Sequence, residues 1–264
     1  MSSRHPRVRT RRSQRGFTLI EIMIALLIGV FMLAALITIV QANRVAYGDQ
    51  NLLAQLQDNE RMAMTLMTDV IQAAGYYPTT TPPSSTASQL LTAGITDGMS
   101  FAIGQSITGS YGGGLPGDHI SVRYMTASGD GILNCSGSSN TSGGNVLYYN
   151  QFYIAPSGHL VCEMNGTIYD LVSGLPNSAT NLGVTNMTIL YGVITNASAT
   201  GNEVDTYMNA TDVNNAGLWS SVVSVMIELT FNNPLYGTSG TTTQPKTVSI
   251  QRVVGLMSQL GPVQ

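Results

Sequence analysis

An apolar run from Phe17 to Val40, preceded by a basic leader, constrains the fold of this chain more than any other stretch. Only Thr18, Glu21 and Thr38 are polar within it. At about 1.5 Å of rise per residue, roughly 20 apolar residues cross a bilayer core of ~30 Å, so the run is long enough to span a membrane. A signal peptide and an ordinary single-pass anchor have the same length, and length alone leaves both alternatives open.

The single carboxylate of this run, Glu21, counts against both of these alternatives. A charged side chain inside a spanning segment costs a few kcal/mol, and it is normally retained because a partner is available for it. Neither a signal peptide nor a simple anchor needs such a group. Glu21 therefore favours a segment in which this carboxylate has a partner.

Charge is divided unequally along the chain. Six of the 11 Lys and Arg residues lie in the first 16 residues, so the chain after Gly16 has five bases against 14 acids, a formal charge of −9. The basic leader predicts a cytoplasmic N-terminus, with the residues beyond Val40 on the far side of the inner membrane. The acidic remainder predicts no direct partner among nucleic acids.

The two cysteines, Cys135 and Cys162, both lie in the part predicted to be exported. An even pair in an oxidising compartment favours a disulfide. It closes a loop of about 28 residues, and chain entropy gives it a value of about 3.5 kcal/mol. Two free buried thiols are the alternative.

The helix that begins in the apolar run is predicted to continue far beyond it. Apolar residues recur at intervals of three, four and seven on one face of the following stretch. Gly75 is placed to cap the helix and Pro78 prevents its continuation. The positions of the apolar face are Val45, Leu52, Leu56, Ala63, Leu66, Val70 and Ala74.

The rest of the chain has the pattern of a β-rich domain. Residues 76–117 are interpreted as loop with one or two weak strands, and residues 195–217 as a polar loop. From Asp118 the apolar residues alternate with Ser121 and Arg123, which predicts a half-buried strand. Further strands are predicted at 146–154, 159–163, 167–172, 184–194, 223–231 and 247–256. The first two of these should form a hairpin, and the turn signal Asn165-Gly166 predicts a second hairpin between 159–163 and 167–172.

These elements predict an α+β fold in which one very long N-terminal helix packs on an antiparallel β-sheet. The predicted organisation has four parts. They are a basic leader that looks like a processing segment (1–16), a membrane-spanning half of the helix (17–40), its amphipathic half (41–75) and an exported globular domain with the disulfide loop (76–264).

The segment Gly16-Phe17-Thr18-Leu19-Ile20-Glu21 resembles the prepilin processing motif of type IV pilins and type II secretion pseudopilins. The rest of the chain is similar to PilW-type minor pilins. The segments that carry this similarity are Asn59-Glu60-Arg61, Ala74-Gly75-Tyr76, Asp130-Gly131, Cys135-Ser136-Gly137, Leu160-Val161-Cys162, Tyr191-Gly192, Asp205-Thr206-Tyr207 and residues 219–225.

The resemblance implies that a prepilin peptidase cuts between Gly16 and Phe17 and methylates the new amine of Phe17. Residues 1–16 are then a cleaved leader, residues 17–40 also form the filament core, and residues 76–264 lie in the periplasm. It also implies that Glu21 attracts the N-terminal amine of a neighbouring subunit during assembly. The implied partners are other minor pilins, the major pilin, a tip adhesin and the assembly platform of the inner membrane. The implied role is to initiate a type IV pilus and to occupy its tip, in support of twitching motility, adhesion or DNA uptake.

The sequence predicts no enzyme, no cofactor and no metal site. His119 and His159 are expected at surface or edge positions, and the glycine-rich stretch 112–117 lacks the lysine and the following helix of a phosphate-binding loop. Asp130, Glu203, Asp205 and Asp212 could supply oxygen atoms to calcium, but they lack the spacing of an EF-hand and are interpreted as solvated loop residues.

Two rival functions remain. One is a minor pseudopilin of a type II secretion system, because both systems use the same N-terminal motif. The other is a membrane-anchored module that binds a sugar or a surface ligand. That second rival needs an exposed aromatic pocket, and Tyr148, Tyr149 and Tyr153 are better explained by strand packing.

Overall fold

The fold is described from a computed structural model. The described residues are 16–78, 91–96, 98–113, 116–172, 183–195, 203–237 and 244–257. The predicted leader, except for Gly16, lies outside them. The chain divides into two compact units, residues 1–50 and 51–264, and each unit is described by itself.

Helix α1 (Leu19–Gln72) confirms the long N-terminal helix. No residue of its first part, up to Gln50, is buried. Val45 was predicted on the apolar face but is 60% exposed, so the packed stripe begins later than the sequence pattern suggested. The buried residues of the helix are Leu56, Ala63, Met64, Met67, Val70 and Ile71.

The end of α1 follows the sequence signal. Gly75 has a left-handed backbone with φ of +76°, which glycine adopts without steric cost. Its N–H donates to the carbonyl of Arg123 at 3.0 Å, and the Met125 N–H donates to the carbonyl of Tyr76 at 2.9 Å. The residues after the helix are therefore held by the backbone of a neighbouring strand.

Residues 94–110 contain three short strands where one or two were expected. β1 (Gly94–Thr96) and β2 (Met99–Phe101) form a small antiparallel hairpin. β3 (Ile107–Ser110) is the edge strand of a larger sheet.

The first large sheet has five antiparallel strands in the order β3-β4-β5-β6-β7. Its remaining strands are β4 (His119–Thr126), β5 (Val146–Ile154), β6 (Leu160–Met164) and β7 (Thr167–Val172). Both predicted hairpins, β5–β6 and β6–β7, are confirmed by their register. In the two-residue turn between β6 and β7, Asn165 and Gly166 have φ of +49° and +83°, as a primed hairpin turn requires.

The second large sheet has four antiparallel strands in the order β11-β10-β8-β9. They are β8 (Val184–Val193), β9 (Thr206–Met208), β10 (Val222–Asn232) and β11 (Thr247–Gly255). The α+β class and the antiparallel strands predicted from the sequence are confirmed, but the single sheet expected is divided in two. The second half of α1 and both sheets contribute to one apolar core.

The predicted loop at 195–217 contains regular structure, and that prediction was wrong. Besides β9 it includes α2 (Ala210–Ala216), which precedes a short 3₁₀ turn (Trp219–Ser221). Asn209 caps α2 by accepting a hydrogen bond from the Asp212 N–H, and Gly217 ends it with φ of +65°. Two polar residues and a glycine, read as loop signals, are here the caps of a helix.

The two large sheets are joined by backbone bonds beside Asp118. Gly117 bridges Met187, and the Asp118 N–H donates to the Met187 carbonyl at 2.8 Å. The buried Asp118 carboxylate accepts from the N–H groups of Gly112 and Ile189, both at 2.8 Å. A side chain at Gly117 would overlap the Met187 backbone, so a glycine is required where the sheets meet.

Strand β4 is buried on both faces, which corrects the half-buried strand predicted from its alternation. Arg123 is completely buried. Its guanidinium donates to the carbonyl of Thr92, to that of Gln105 at 2.6 Å and to that of Ala102 at 2.7 Å. It also lies 4.7 Å from the centre of the Phe101 ring. Arg123 thus fastens the segment that carries β1 and β2 to the outer face of the sheet.

Candidate functional site

The start of α1 has a complete helix cap. The Glu21 carboxylate accepts hydrogen bonds from the N–H and the hydroxyl of Thr18, both at 2.9 Å, and the Thr18 hydroxyl accepts from the Glu21 N–H at 3.4 Å. This reciprocal pair is a capping box. Sequence analysis missed it, although the spacing Thr-x-x-Glu before an apolar run is its signal.

Only one oxygen of Glu21, Oε2, takes part in this cap. Both Thr18 donors bind it, and Oε1 has no hydrogen bond to any residue that the structure describes. The carboxylate is also fully exposed in the chain by itself. Capping the helix therefore leaves one oxygen of Glu21 open to a donor on another molecule.

The residues just before the helix have no internal packing. Gly16 is exposed, and a Cβ added there would meet no atom within 4 Å. Phe17 is 85% exposed. Nothing in the described part of the chain therefore requires a glycine or an aromatic residue at these positions.

The first part of α1 is apolar on every side. By length and composition the helix can cross a membrane, with a mean hydropathy of 2.9 in its most apolar window and none of that window buried. Leu19, Met23, Leu27 and Phe31 are all at least 60% exposed. Such a surface is stable only in lipid or against other apolar helices.

Cys135 and Cys162 form the predicted disulfide, with their Cα atoms 6.2 Å apart. It joins β6 to the loop of residues 127–145, here called the disulfide loop. A buried amide, Asn150, accepts from the Cys135 N–H at 3.0 Å, and the hydroxyl of the buried Tyr124 donates to the Leu133 carbonyl at 2.7 Å. The loop is therefore fixed to the sheet at several points.

Within the disulfide loop, three side chains organise the backbone. Asp130 accepts from the N–H groups of Ala127 and Ile132 at 2.8 and 3.0 Å. Asn134 accepts from the N–H groups of Ser136 and Ser138 at 3.0 and 3.1 Å. Asn140 is buried, donates to the carbonyls of Thr126 and Gly144 and accepts from Ser142. These turns give the loop one defined shape without regular secondary structure.

The two histidines do not come together. His119 is half-buried and stacks on Tyr153 with 5.1 Å between ring centres, whereas His159 pairs with Asp170 at 3.4 Å. Burial lowers the pKa of His119, and Asp118 opposes that shift. His119 is therefore less exposed than predicted and takes part in packing.

Three of the four acidic residues considered for calcium have local partners. The Asp205 carboxylate accepts from the N–H of Thr195 at 2.7 Å, Asp130 organises the disulfide loop and Asp212 accepts from the Asn209 side chain at 2.9 Å. No group of three or more His, Cys, Asp or Glu side chains that could hold a metal ion occurs in the part of the chain that the structure describes.

The tyrosines of β5 are engaged in ring contacts. Tyr148 meets Tyr124 edge to face at 6.1 Å, and Tyr149 meets Phe101 in the same way at 5.8 Å. The hydroxyl of Tyr153, which stacks on His119, donates to Glu163 at 3.1 Å. These contacts agree with the strand-packing interpretation.

Comparison with known families gives two matches. The model of the prokaryotic N-terminal methylation motif matches residues 11–37, around Gly16, Phe17 and Glu21. The model of the type IV pilus-assembly protein W matches residues 151–255, from β5 to β11. The second match includes the segments at 160–162, 191–192, 205–207 and 219–225 that carried the resemblance, whereas the segments at 59–61, 74–76 and 130–137 lie outside it.

Comparisons with whole proteins add little. No curated protein is significantly similar to the chain in sequence. Among solved structures, the type IV-like pilin TTHA1219 from Thermus thermophilus aligns with 78% of this chain and 98% of its own, at 12% identity and a TM-score of 0.40. The chain therefore carries the prokaryotic N-terminal methylation motif and, in its second half, a domain of the family of type IV pilus-assembly protein W.

Proposed function

We propose that this chain is a minor pilin that helps to initiate a type IV pilus and is incorporated at its tip. One observation carries the proposal. The first part of α1 is apolar and exposed on every side, and it begins with a carboxylate that keeps one oxygen unbound. That combination suits a helix that lies first in a membrane and then among the helices of other subunits.

Processing between Gly16 and Phe17 prepares this helix for assembly. The position of the methylation-motif match and the absence of any internal role for Gly16 both support the cut. Cleavage creates an amine on Phe17, which the peptidase methylates. Cleavage removes the leader with its six basic residues, and the apolar run remains in the mature protein.

Glu21 then recruits a neighbour. Its free oxygen accepts a hydrogen bond from the positively charged N-terminal amine of an adjacent subunit, and pairing recovers much of the cost of a carboxylate in hydrocarbon. The Thr18 cap keeps the carboxylate at the N-terminal end of the helix, where it is also favoured by the helix dipole.

Residues 17–40 form the membrane and filament-core part, residues 41–75 the amphipathic part and residues 76–264 the periplasmic domain. The partners are other minor pilins, the major pilin, a tip adhesin, the prepilin peptidase and the assembly platform. The pilin family is structural rather than enzymatic, and the role proposed here requires no cofactor.

The test is deletion of the gene, followed by electron-microscopic counts of pili with retraction active and with retraction disabled. We expect few pili in the first strain and their return in the second, because a missing initiator slows assembly while the major pilin can still polymerise. Wild-type chain should restore the count, and Gly16→Ala should not, while running on a gel at the size of the unprocessed chain.

Normal pilus numbers in the deletion strain, together with loss of a secreted enzyme, would reject the pilus proposal and favour a type II secretion pseudopilin. A mature-sized band for Gly16→Ala would reject the cut site.

A further inference from the structure

Two apolar grooves lie between the second half of α1 and the disulfide loop. The first has a volume of about 390 Å³ and runs beside the disulfide; the helix residues Met62 and Leu66 and the strand residue Leu171 line it. The second has a volume of about 520 Å³ and lies at the end of the helix. Its lining includes Tyr76 and Leu133.

The grooves share one residue, Asp69, and form one continuous surface. Four large apolar side chains are exposed around it. Their exposed fractions are 56% for Met62, 37% for Tyr76, 40% for Leu133 and 69% for Met257. A contiguous apolar surface of this kind marks an interaction site more often than does an isolated exposed residue.

The shape of this surface is fixed before anything binds. One wall is the packed helix, and the other is the disulfide loop with its bond to Cys162 and its internal hydrogen bonds. A preformed wall loses little conformational entropy on association, which favours binding.

The charge of the surface selects its partner. Asp69 is exposed and has no hydrogen bond or ion pair to its carboxylate among the described residues. Arg252 donates to the hydroxyl of Thr68, the residue before Asp69, at 3.3 Å and forms no salt bridge with Asp69. An apolar surface with an unpaired carboxylate at its centre fits an apolar side chain that lies next to a lysine or an arginine.

A second copy of this chain is a poor candidate for that partner. After removal of the leader each copy has a formal charge of −9, with five bases. Of these, Arg123 is buried, and the other four are exposed bases among a large excess of acids. Two such domains carry the same net sign and repel one another, which favours a different protein as the source of the complementary cation.

We propose that this surface docks a different pilus subunit, through a segment that places an apolar side chain in the grooves and a lysine or arginine against Asp69. The proposal rests on the proposed function for the class of partner. Beyond that function, the proposal identifies the surface that binds the partner, the chemistry of the partner's segment, and a partner other than a second copy of this chain.

The experiment uses the full chain in its own cells, with a photo-cross-linking phenylalanine derivative in place of Leu133. After illumination, the membrane fraction is separated by size and the product is identified by mass spectrometry. We expect a product with one other protein that has its own N-terminal methylation motif. The same substitution at Ile95, which is 78% exposed but lines neither groove, should give none.

Charge variants then test Asp69. Asp69→Lys should lower the yield of the product about ten-fold or more, because like charges then meet in the complex, and Asp69→Asn should lower it roughly three-fold. Asp58→Lys, on the same helix but outside both grooves, should leave the yield unchanged. Unfolding followed by the fluorescence of Trp219 should give the wild-type midpoint for the Asp69 variants, since Asp69 is exposed.

Absence of a product, a product that is a homodimer, or an unchanged yield with Asp69→Lys would each overturn the docking proposal. In a strain whose pili still depend on this chain, those results leave the proposed function intact. The opposite outcome is a cross-link to a protein with a methylation motif in a strain whose pili do not depend on this chain. That result would support the docking surface and reject the role in the pilus.

Discussion

The two parts of α1 differ in where their apolar side chains find partners. From Leu19 to Gln50 no residue is buried, whereas six are buried between positions 51 and 72. The second part is covered by strands of the same chain, and the first part has only the bilayer or other molecules to cover it. Substitutions in the first part should therefore change assembly, and those in the second part should change the stability of the domain.

The largest effect expected is on Glu21, where capping and pairing with another subunit can be separated. Glu21→Gln keeps an oxygen that accepts from the Thr18 N–H but removes the charge, whereas Thr18→Val weakens the cap, by about 1 kcal/mol, and keeps the charge. We expect Glu21→Gln and Glu21→Ala to insert normally into the membrane yet to be nearly absent from sheared pili in immunoblots. Thr18→Val should be incorporated.

Incorporation of Glu21→Gln at the wild-type level would mean that the carboxylate serves only as a cap. None of these variants should alter the unfolding of the domain, because no side chain of residues 19–50 is buried.

In the domain, Arg123→Met should be the most destabilising single change. It leaves three carbonyls, of Thr92, Ala102 and Gln105, without the guanidinium that binds them. We expect a loss of about 4 kcal/mol in the free energy of unfolding, measured by urea titration of the detergent-solubilised chain with Trp219 fluorescence. Arg252→Met, on an exposed residue of β11, is the matched control and should cost less than about 0.5 kcal/mol.

Removal of the disulfide comes next in size. The double variant Cys135→Ser/Cys162→Ser should unfold about 3.5 kcal/mol more easily, because the unfolded chain regains the entropy of a loop of about 28 residues. Wild-type chain treated with a reductant serves as the comparison. An equal free energy of unfolding for the oxidised and the reduced chain would contradict the expectation. As a control, cleavage of the leader should be the same in the double variant and the wild type.

A pair of identical substitutions compares the two parts of α1 directly. Met67 is completely buried, and Met23 is 62% exposed. Met67→Ala should cost about 3 kcal/mol in domain stability, through lost burial and the cavity left behind. Met23→Ala should leave the urea midpoint unchanged. A similar loss for both variants would show that the first part of the helix also stabilises the domain.

Much of the fold followed from local sequence patterns. The long helix, the left-handed Gly75, the turn at Asn165-Gly166 and the pairing of β5 with β6 each depend on residues close together in the chain. Such features are set by backbone preferences and by alternation, which a sequence displays directly.

Features that depend on distant contacts were not predicted. Arg123 looked like a surface residue of an alternating strand, because its three acceptors lie 18 to 31 positions earlier in the chain. The junction between the two sheets depends on Asp118 reaching Ile189, 71 positions away. The motif at Gly16, Phe17 and Glu21 is the opposite case, since its residues lie close together in the sequence and make almost no contacts with distant parts of the described chain.

The smallest effect expected is a dependence of domain stability on His119. The ring lies against Tyr153, with the amide nitrogen of Gln151 at 3.5 Å from its Nδ1 and Asp118 preceding it in the chain. Burial lowers the pKa of His119 below its ordinary value of 6.5 in the folded chain. Below about pH 6.5, His119 therefore binds a proton more readily in the unfolded chain than in the folded chain.

The contribution of His119 to stability is thus complete above about pH 6.5 and is lost as the pH falls toward the lower folded-state pKa. Urea midpoints measured between pH 7.5 and 5.5 should decrease for the wild type and decrease less for His119→Gln, which cannot take up the proton. Because the ring is only half-buried, the difference should be smaller than that of any substitution above. Identical slopes for the two proteins would show that the ring is solvated well enough to titrate as it does in the unfolded chain.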